Sequence, residues 1–314
     1  MTKHVLITGG MGFIGHTVAK KYLQSNFEVT IVDNLTSHKS HANLTKYRMQ
    51  QVDHKKCTFI DINCNLTYFI RQQLKNPNVR SIIHLAGYPN QAAVEENKQA
   101  ALSSMLADTH SVGELAKKLN AKLVYVSSSM AYGNFTKMPM PETEPLNPIN
   151  LYGLLKAHGE SIVKLFFHNH VIVRPSAAYG PGDNTNRVLG KWINAAMNNE
   201  DIVVDQDNTL LDFTHVDDLA KGIIAAETNG RAGEIYNLTY GSARTLGEAA
   251  RIIKDETGSK SKIITNNIER LDVPIRGALD ISNARNNIGY QPKIDLLSGI
   301  QNYIDWMRRY SHVY

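Results

Sequence analysis

The sequence predicts an α/β fold, a Rossmann-type doubly wound parallel sheet with a smaller C-terminal α/β substrate-binding part. Three observations carry this. Short apolar runs alternate with segments of helical periodicity from residue 5 to residue 174. Gly9, Gly12 and Gly15 follow the first apolar run in the spacing G-x-x-G-x-x-G and lead into a helix. Asp33 closes the second apolar run, about 20 residues past the glycines.

Val5 to Thr8 reads as a buried strand and Thr17 to Gln24 as the helix after it. Between them, Gly9 allows the sharp exit from the strand, Gly12 lets backbone come close to a pyrophosphate, and Gly15 lets helix pack tightly on strand. The helix N-terminus favours an anion through its free N–H groups and its dipole. Phe27 to Val32 is the second strand, and Asp33 at its end is placed to accept both adenosine ribose hydroxyls. That favours NAD over NADP, whose 2′-phosphate a carboxylate would repel. Residues 34–56 are polar and read as loop plus a short helix. His38 and His41 lie there without a third ligand nearby, so no metal is expected.

Cys57 to Ile60 is a third strand closed by Asp61 and Ile62, with a returning helix over Leu66 to Leu74. Val79 to Ala86 is a fourth strand. Ala92 to Leu119 reads as one long helix, with Leu102, Met105, Leu106, Leu115 and Leu119 among its apolar positions. Lys122 to Val126 is a fifth strand running into Ser127, Ser128 and Ser129. Met138 to Pro148 holds four prolines and is a loop, after which Asn150 caps a helix from Leu151 to about His168. Val171 to Arg174 is a sixth strand.

Beyond it the pattern loosens. Helices are expected over Arg187 to Asn198, from Asp212–Leu219 to Asn229, over Thr245 to Thr257 with a Thr245/Glu248 capping box, and over Ile281 to Asn287 and Leu297 to Arg309. Strands are expected at Ile202 to Val204 and Glu234 to Leu238. Residues 1–174 form the nucleotide-binding domain, and 175–314 the mainly substrate-binding part, with some segments returning to the first.

The chain has 314 residues, 42% hydrophobic and 20% charged, a soluble globular composition. Met1-Thr-Lys-His runs straight into the first strand, with no signal peptide, and no apolar run approaches the roughly 18 residues of a membrane span. Only Cys57 and Cys64 are present, which fits a cytoplasmic protein with both reduced. The net charge of +5 is spread along the chain without a dense basic run, so no nucleic-acid partner is expected.

A second constellation is Ser128, Tyr152 and Lys156. Tyr152 and Lys156 are four apart and share one helix face. An ammonium beside a phenol favours the phenolate, and an oxidised nicotinamide would add a second positive charge. The result is a tyrosine able to take a hydroxyl proton near neutral pH. Lys156 can also hold the nicotinamide ribose, and Ser128 at a strand's C-terminal end can hydrogen-bond the same substrate oxygen.

Thr8-Gly-Gly-Met-Gly-Phe-Ile-Gly15, Asp33-Asn34-Leu35, Asp61-Ile62, His84-Leu-Ala-Gly87, Val126 to Gly133, Tyr152-Gly-Leu-Leu-Lys156, Arg174 to Pro181, Asp212 to Asp218 and Ile288 to Pro292 together resemble the extended short-chain dehydrogenase/reductases. Within them the chain is similar to the NAD-dependent nucleotide-sugar epimerase/dehydratase group, of which UDP-glucose 4-epimerase is typical. The resemblance implies NAD contacts from Gly9, Gly12, Phe13, Ile14, Gly15, Asp33, Asn34, Asp61, Ile62, Leu85, Ala86, Tyr152 and Lys156. It implies Ser128, Tyr152 and Lys156 as catalytic residues and Ser128, Ser129, Asn184, Arg187 and Arg270 as substrate contacts. The implied activity is 4-epimerisation of a nucleotide sugar through a transient 4-keto sugar. A 4-dehydrogenase or 4-keto-sugar reductase is the enzymatic alternative. A non-catalytic dinucleotide sensor is the other, and the intact triad argues against it.

Some positions depart from the group. Ser129 and Met130 follow Ser128 where the 4,6-dehydratases have an Asp-Glu pair, which disfavours dehydration. Ala177 stands where many members have an asparagine on the sugar nucleotide, and Leu211 where many have an arginine on the diphosphate. Arg270 loosely matches the basic residue expected near Asp272, with Arg276 a second candidate. The family also implies a homodimer through the helix after the fourth strand and the Tyr152 helix, with Leu102, Met105, Leu106, Ile162, Leu165 and Phe166 as the residues that could supply the surface.

Overall fold

The computed structural model describes residues 3–35, 42–62, 78–266, 268 and 272–313. The helix expected over Leu66 to Leu74, together with His38, His41, Cys64 and Arg270, lies outside the described residues.

Seven strands form one fully parallel sheet: β1 (His4–Thr8), β2 (Glu28–Asp33), β3 (Cys57–Asp61), β4 (Ser81–His84), β5 (Lys122–Val126), β6 (His170–Pro175) and β11 (Ile235–Leu238). Their spatial order is β11-β6-β5-β4-β1-β2-β3. The chain therefore winds outward in both directions from β1 and β4. In such sheets, ligands bind beyond the strand C-termini at this switch point. The last sheet strand, β11, comes from well past residue 174 and pairs with β6 at the sheet edge.

Alternating side chains of each central strand feed two cores. Val5, Ile7, Val124 and Val126 pack with helices α1 (Phe13–Gln24), α7 (Val216–Asn229) and α9 (Ser282–Ile288). Leu6, Ile82, Leu123 and Tyr125 pack on the other face with α4 (Lys98–Lys118) and α5 (Leu151–Phe166). Strands apolar on both faces are what a sheet covered by helices on each side requires.

The long helix expected after β4 is two helices, α3 (Gln91–Glu96) and α4, parted at Asn97. Asn90 caps the first through Ala93 N–H, and Asn97, at φ −132°, leaves helical geometry. The polar 34–56 stretch contains a full helix, α2 (Ala42–Val52), and α1 starts at Phe13 rather than Thr17.

A third core joins α6 (Val188–Met197), β8 (Ile202–Asp205), α8 (Leu246–Thr257) and α10 (Leu296–Arg309), with Leu44 and Tyr47 of α2 packed into it. The expected capping box of α8 is formed: Thr245 Oγ1 accepts Glu248 N–H and Glu248 accepts Thr245 N–H. Small two-stranded sheets pair β7 (Ala178–Tyr179) with β10 (Thr214–His215), β9 (Leu210–Leu211) with β12 (Arg244–Thr245), and β8 with β13 (Ile263–Asn266). No helix among the described residues is long and apolar enough to cross a membrane.

Candidate active site

At the switch point the glycine turn is built by contact with backbone. Gly9 has φ +69°, and a Cβ there would stand 2.7 Å from the Ala86 nitrogen at the end of β4. A Cβ on Gly15 would stand 2.3 Å from the Gly9 carbonyl oxygen, so α1 rests directly on the turn. Gly12 is the N-cap residue of α1 and offers no side chain to its first N–H groups. Phe13, Ile14 and Gly15 thus begin the helix in the arrangement that receives a phosphate. The residues present fit a dinucleotide.

Asp33 sits beside this turn, its Oδ2 accepting Met11 N–H and its Oδ1 accepting Leu35 N–H, each at 2.9 Å. An ionised carboxylate has about four acceptor sites, so two hydroxyls can still be received. Asp61 pairs with Asp33 across β2 and β3, and Ile62 N–H donates to Asp33 O at 3.0 Å. The structure therefore gathers Asp33, Asn34, Asp61 and Ile62 at adjacent strand ends. Leu85 and Ala86 leave β4 against the two opposite cores.

Arg48 of α2 is a participant that sequence reasoning missed. Its Nε and Nη2 donate to Gly182 O at 3.1 and 2.9 Å, and its Nη1 donates to Met11 O at 3.2 Å. One buried guanidinium thereby clamps the glycine turn to the loop that carries Asn184 and Arg187. Burial pushes its pKa down to about 10 against the nearby Asp183 and Asp33. Leu44, Tyr47 and Val52 at helical spacing were the available signal, masked by the polar residues between them. His16, one helical turn into α1, is neutral: burial, with Arg48 nearby, lowers it to about 3.

The expected triad does assemble. Ser128 begins a short 3₁₀ turn, Ser129–Tyr132, and its Oγ accepts Met130 N–H at 3.2 Å. Asn150 Oδ1 caps α5 through Gly153 N–H at 2.9 Å, placing Tyr152 in the first turn. Ser128 lies near enough to the Tyr152 phenol to lower its pKa. Lys156, one turn on, donates from Nζ to Val126 O at 2.9 Å and stands 6.0 Å from the centre of the Tyr152 ring.

The electrostatics differ from the sequence expectation. Burial raises the Tyr152 phenol above its ordinary value; the Ser128 hydrogen bond and the Arg187 charge pull the other way. Lys156 is not among the groups that shift it; the Lys156 ammonium is itself pushed by burial down to about 8, with Glu160 opposing. A positive charge placed beside the phenol would favour loss of its proton.

Glu160, a further turn along α5, is completely buried and anchors a network that the sequence did not disclose. It accepts from Arg174 Nε and Nη2 at 2.9 and 2.7 Å and from Ser127 Oγ at 2.6 Å. Arg174 Nη1 donates to Tyr132 Oη at 2.8 Å, and Tyr132 donates to Asn237 Oδ1 at 2.8 Å. The residues on both sides of Ser128, and the helix carrying Tyr152 and Lys156, are thus tied to β6 and β11. Glu160 lies four residues past Lys156 and eight past Tyr152, on the same helix face, which was the available signal.

Across from the triad, Arg187 sits at the N-cap position of α6 without a side-chain capping bond and pairs with Asp183 at 3.6 Å, and its charge reaches the Tyr152 phenol. Asn184 shapes the preceding turn, its Oδ1 accepting Asn186 N–H at 2.9 Å. Ser129 is buried, with an Oγ that has no hydrogen-bond partner. Ala177 adopts φ +30°, a conformation that asparagine tolerates better than alanine. Leu211 packs against the third core.

The model of the NAD dependent epimerase/dehydratase family matches residues 5–239. A Methanocaldococcus jannaschii protein, provisionally named a UDP-glucose 4-epimerase, is 30% identical over 97% of this chain and 98% of its own length. The dTDP-glucose 4,6-dehydratase of Streptomyces griseus is 26% identical over 99% of this chain and 95% of its own. In fold, the crystal structure of Bacillus cereus UDP-glucuronic acid 4-epimerase with UDP-glucuronic acid and NAD superposes with a TM-score of 0.86 at 22% identity, covering 98% of this chain and 99% of that one.

Proposed function

The chain belongs to the NAD dependent epimerase/dehydratase family, and on that premise we propose that it inverts C4 of a nucleotide sugar. NAD is its cofactor, and when bound it accepts a hydride from the substrate and gives it back. The start of α1 with Gly9, Gly12 and Gly15 holds the pyrophosphate, Asp33 and Asn34 the adenosine ribose, Asp61 and Ile62 the adenine, and Lys156 the nicotinamide ribose. Tyr152 removes the proton of the C4 hydroxyl as the bound sugar becomes a 4-keto sugar, and Ser128 hydrogen-bonds the same oxygen. Tyr152 returns the proton when C4 is reduced from the other face.

The observation that carries this reading is that the Ser128 N-cap past the C-terminal end of β5 and the first turn of α5 bring Ser128 to act on the Tyr152 phenol, with Ser129 and Met130 following Ser128. Neither of those side chains is a carboxylic acid able to protonate a leaving hydroxyl, so epimerisation is favoured over elimination of water. The protein acts in the cytoplasm, where Cys57 stays a free thiol. It pairs with a second copy through α4 and α5, on which Leu102, Leu165 and Phe166 are 44%, 75% and 51% exposed. Met105 is buried, and Leu106 and Ile162 pack partly against cores, so they contribute little to that face.

The test uses protein as purified. Denaturation releases NAD(H) for assay, while intact enzyme is incubated with UDP-, GDP-, dTDP- and CDP-sugars and products are read by mass and NMR. Retained NAD with a product of unchanged mass and inverted C4 is expected. A two-dalton change seen only with added NAD or NADH would make it a dehydrogenase or reductase. Tyr152→Phe should keep NAD and lose about 10²–10⁴-fold in turnover.

A further inference from the structure

We propose that Arg48 is a positioning residue that couples the two halves of the site, so that NAD seated on the glycine turn orders the loop of residues 180–187 for the nucleotide sugar. The identity of the second ligand rests on the reading above; the link between turn and loop is a property of this chain's own residues.

The link begins in α2. Leu44 and Tyr47 pack into the third core, while Val52, near the other end, packs into the first, with Met49 against it. The far end of the chain closes over the same helix. Asn43 Nδ2 donates to His312 O at 3.0 Å, and the Tyr47 ring meets Trp306 and Tyr310 edge-on at 5.3 and 5.0 Å. One helix is thus held at one end by the core of the C-terminal part and at the other by the core under the glycine turn. Arg48 is buried between those anchors.

Arg48 turns this bridge into a connection between ligand sites. Its Nη1 donates to Met11 O within the glycine turn, and Met11 N–H is itself held by Asp33 Oδ2. Its Nε and Nη2 both donate to Gly182 O. Gly182 lies against α1, where a Cβ would stand 2.9 Å from His16 Nε2. Asp183 Oδ1, next along, accepts Asn184 N–H at 2.8 Å and pairs with Arg187 at 3.6 Å. The path Asp33, Met11, Arg48, Gly182, Asp183, Arg187 is therefore continuous, and each joint is a hydrogen bond, a peptide link or an ion pair. A ribose on Asp33 and a phosphate at the start of α1 immobilise Met11, and with it the guanidinium. The loop at Gly182 then has less freedom to lose when a second ligand arrives. Ligands that order the same segment bind with positive cooperativity even without a change of shape. The effect is reciprocal, so the nucleotide sugar also tightens the hold on NAD.

The experiment uses the full chain, freed of NAD and reloaded, as wild type, Arg48→Met and Arg48→Lys. Deuterium exchange at residues 180–187 is followed by mass spectrometry with and without saturating NAD. UDP-, dTDP-, GDP- and CDP-glucose are titrated by calorimetry in both states, and melting temperatures are measured alongside. In wild type, NAD slows exchange at 180–187 and tightens the nucleotide sugar by about fivefold or more. In Arg48→Met both effects vanish, and the nucleotide sugar binds as it does to NAD-free wild type. Arg48→Lys, able to donate to one carbonyl at a time, recovers part of each. The quantity compared is the ratio of affinities with and without NAD, which a merely destabilised fold leaves unchanged. Exchange at 180–187 that NAD does not slow in wild type overturns the proposal, whether or not the variants fold. So does an Arg48→Met enzyme that keeps the wild-type ratio or the wild-type protection. Wild type that binds none of the four sugars sinks the proposed function; protection by NAD that Arg48→Met abolishes then leaves the link standing.

Discussion

Replacing Glu160 by Gln tests whether the buried ion pair below the triad holds the site together. The glutamate is fully buried and receives two guanidinium nitrogens of Arg174 and the Ser127 hydroxyl. An amide can accept on one atom only; its NH₂ would meet one of those donors head on and leave Arg174, 1% exposed, without a counter-charge. Breaking such a pair costs about 3–5 kcal/mol. Typical unfolding entropies give a chain of this length about 0.7 kcal/mol/K, so Tm should fall by about 4–7 °C. Lys164 also reaches Glu160, at 3.4 Å, but is 42% exposed, and Lys164→Ala should cost no more than about 1 kcal/mol. Glu160→Met combined with Arg174→Met should recover most of the loss, since neither charge is then stranded. The pair also has a pH signature. Arg174 outweighs burial and holds the Glu160 carboxyl below its ordinary value of 4.5. Its stabilisation is complete above that value and is lost as pH falls through the lower folded pKa. Wild type and Glu160→Gln should therefore converge in stability in strong acid. Thermal melts across pH measure this; a Gln variant melting within about 1 °C of wild type at pH 7 would refute the argument.

Two further outcomes follow from the same geometry. Lys156 titrates near 8 in the folded protein against an ordinary 10.5, so between those values the unfolded chain holds a proton that the folded one has released. Stability should rise as pH climbs through that window, by about 3 kcal/mol at most. Lys156→Met should abolish the rise, be more stable at pH 7 in denaturant titrations, and lose turnover. A rise that persists in the variant assigns it to another group. Gly15→Ala would put a methyl 2.3 Å from Gly9 O, lifting α1 off the turn at about 1–3 kcal/mol. The purified variant should carry clearly less NAD than wild type, and full occupancy would contradict the packing described.

Most of the fold and much of the candidate site were legible in local pattern. The strand–glycine–helix opening, Asp33 at the end of β2, the Asn150 cap and the Tyr152/Lys156 spacing are short-range features. Backbone sterics and helical periodicity act over a few residues, so they are written along the chain. The break at Asn97 was harder to see, because apolar periodicity continues across it while one residue leaves helical geometry. The helix α2 was obscured because its buried face is shared with a core formed by residues 179–313, far along the sequence.

What the sequence by itself determined was the doubly wound parallel architecture, the glycine turn between β1 and α1, and the choice of Ser128, Tyr152 and Lys156 as candidate catalytic residues. Only the tertiary structure decided how those groups are charged and what holds them. Lys156 donates its ammonium to Val126 O, Tyr152 is raised by burial, Glu160 meets Arg174, Arg48 clamps two distant loops, and Arg276 Nε is buried without an acceptor among the described residues. The physical reason is that desolvation and ion pairing depend on which distant segments close over a side chain. No local pattern records that closure.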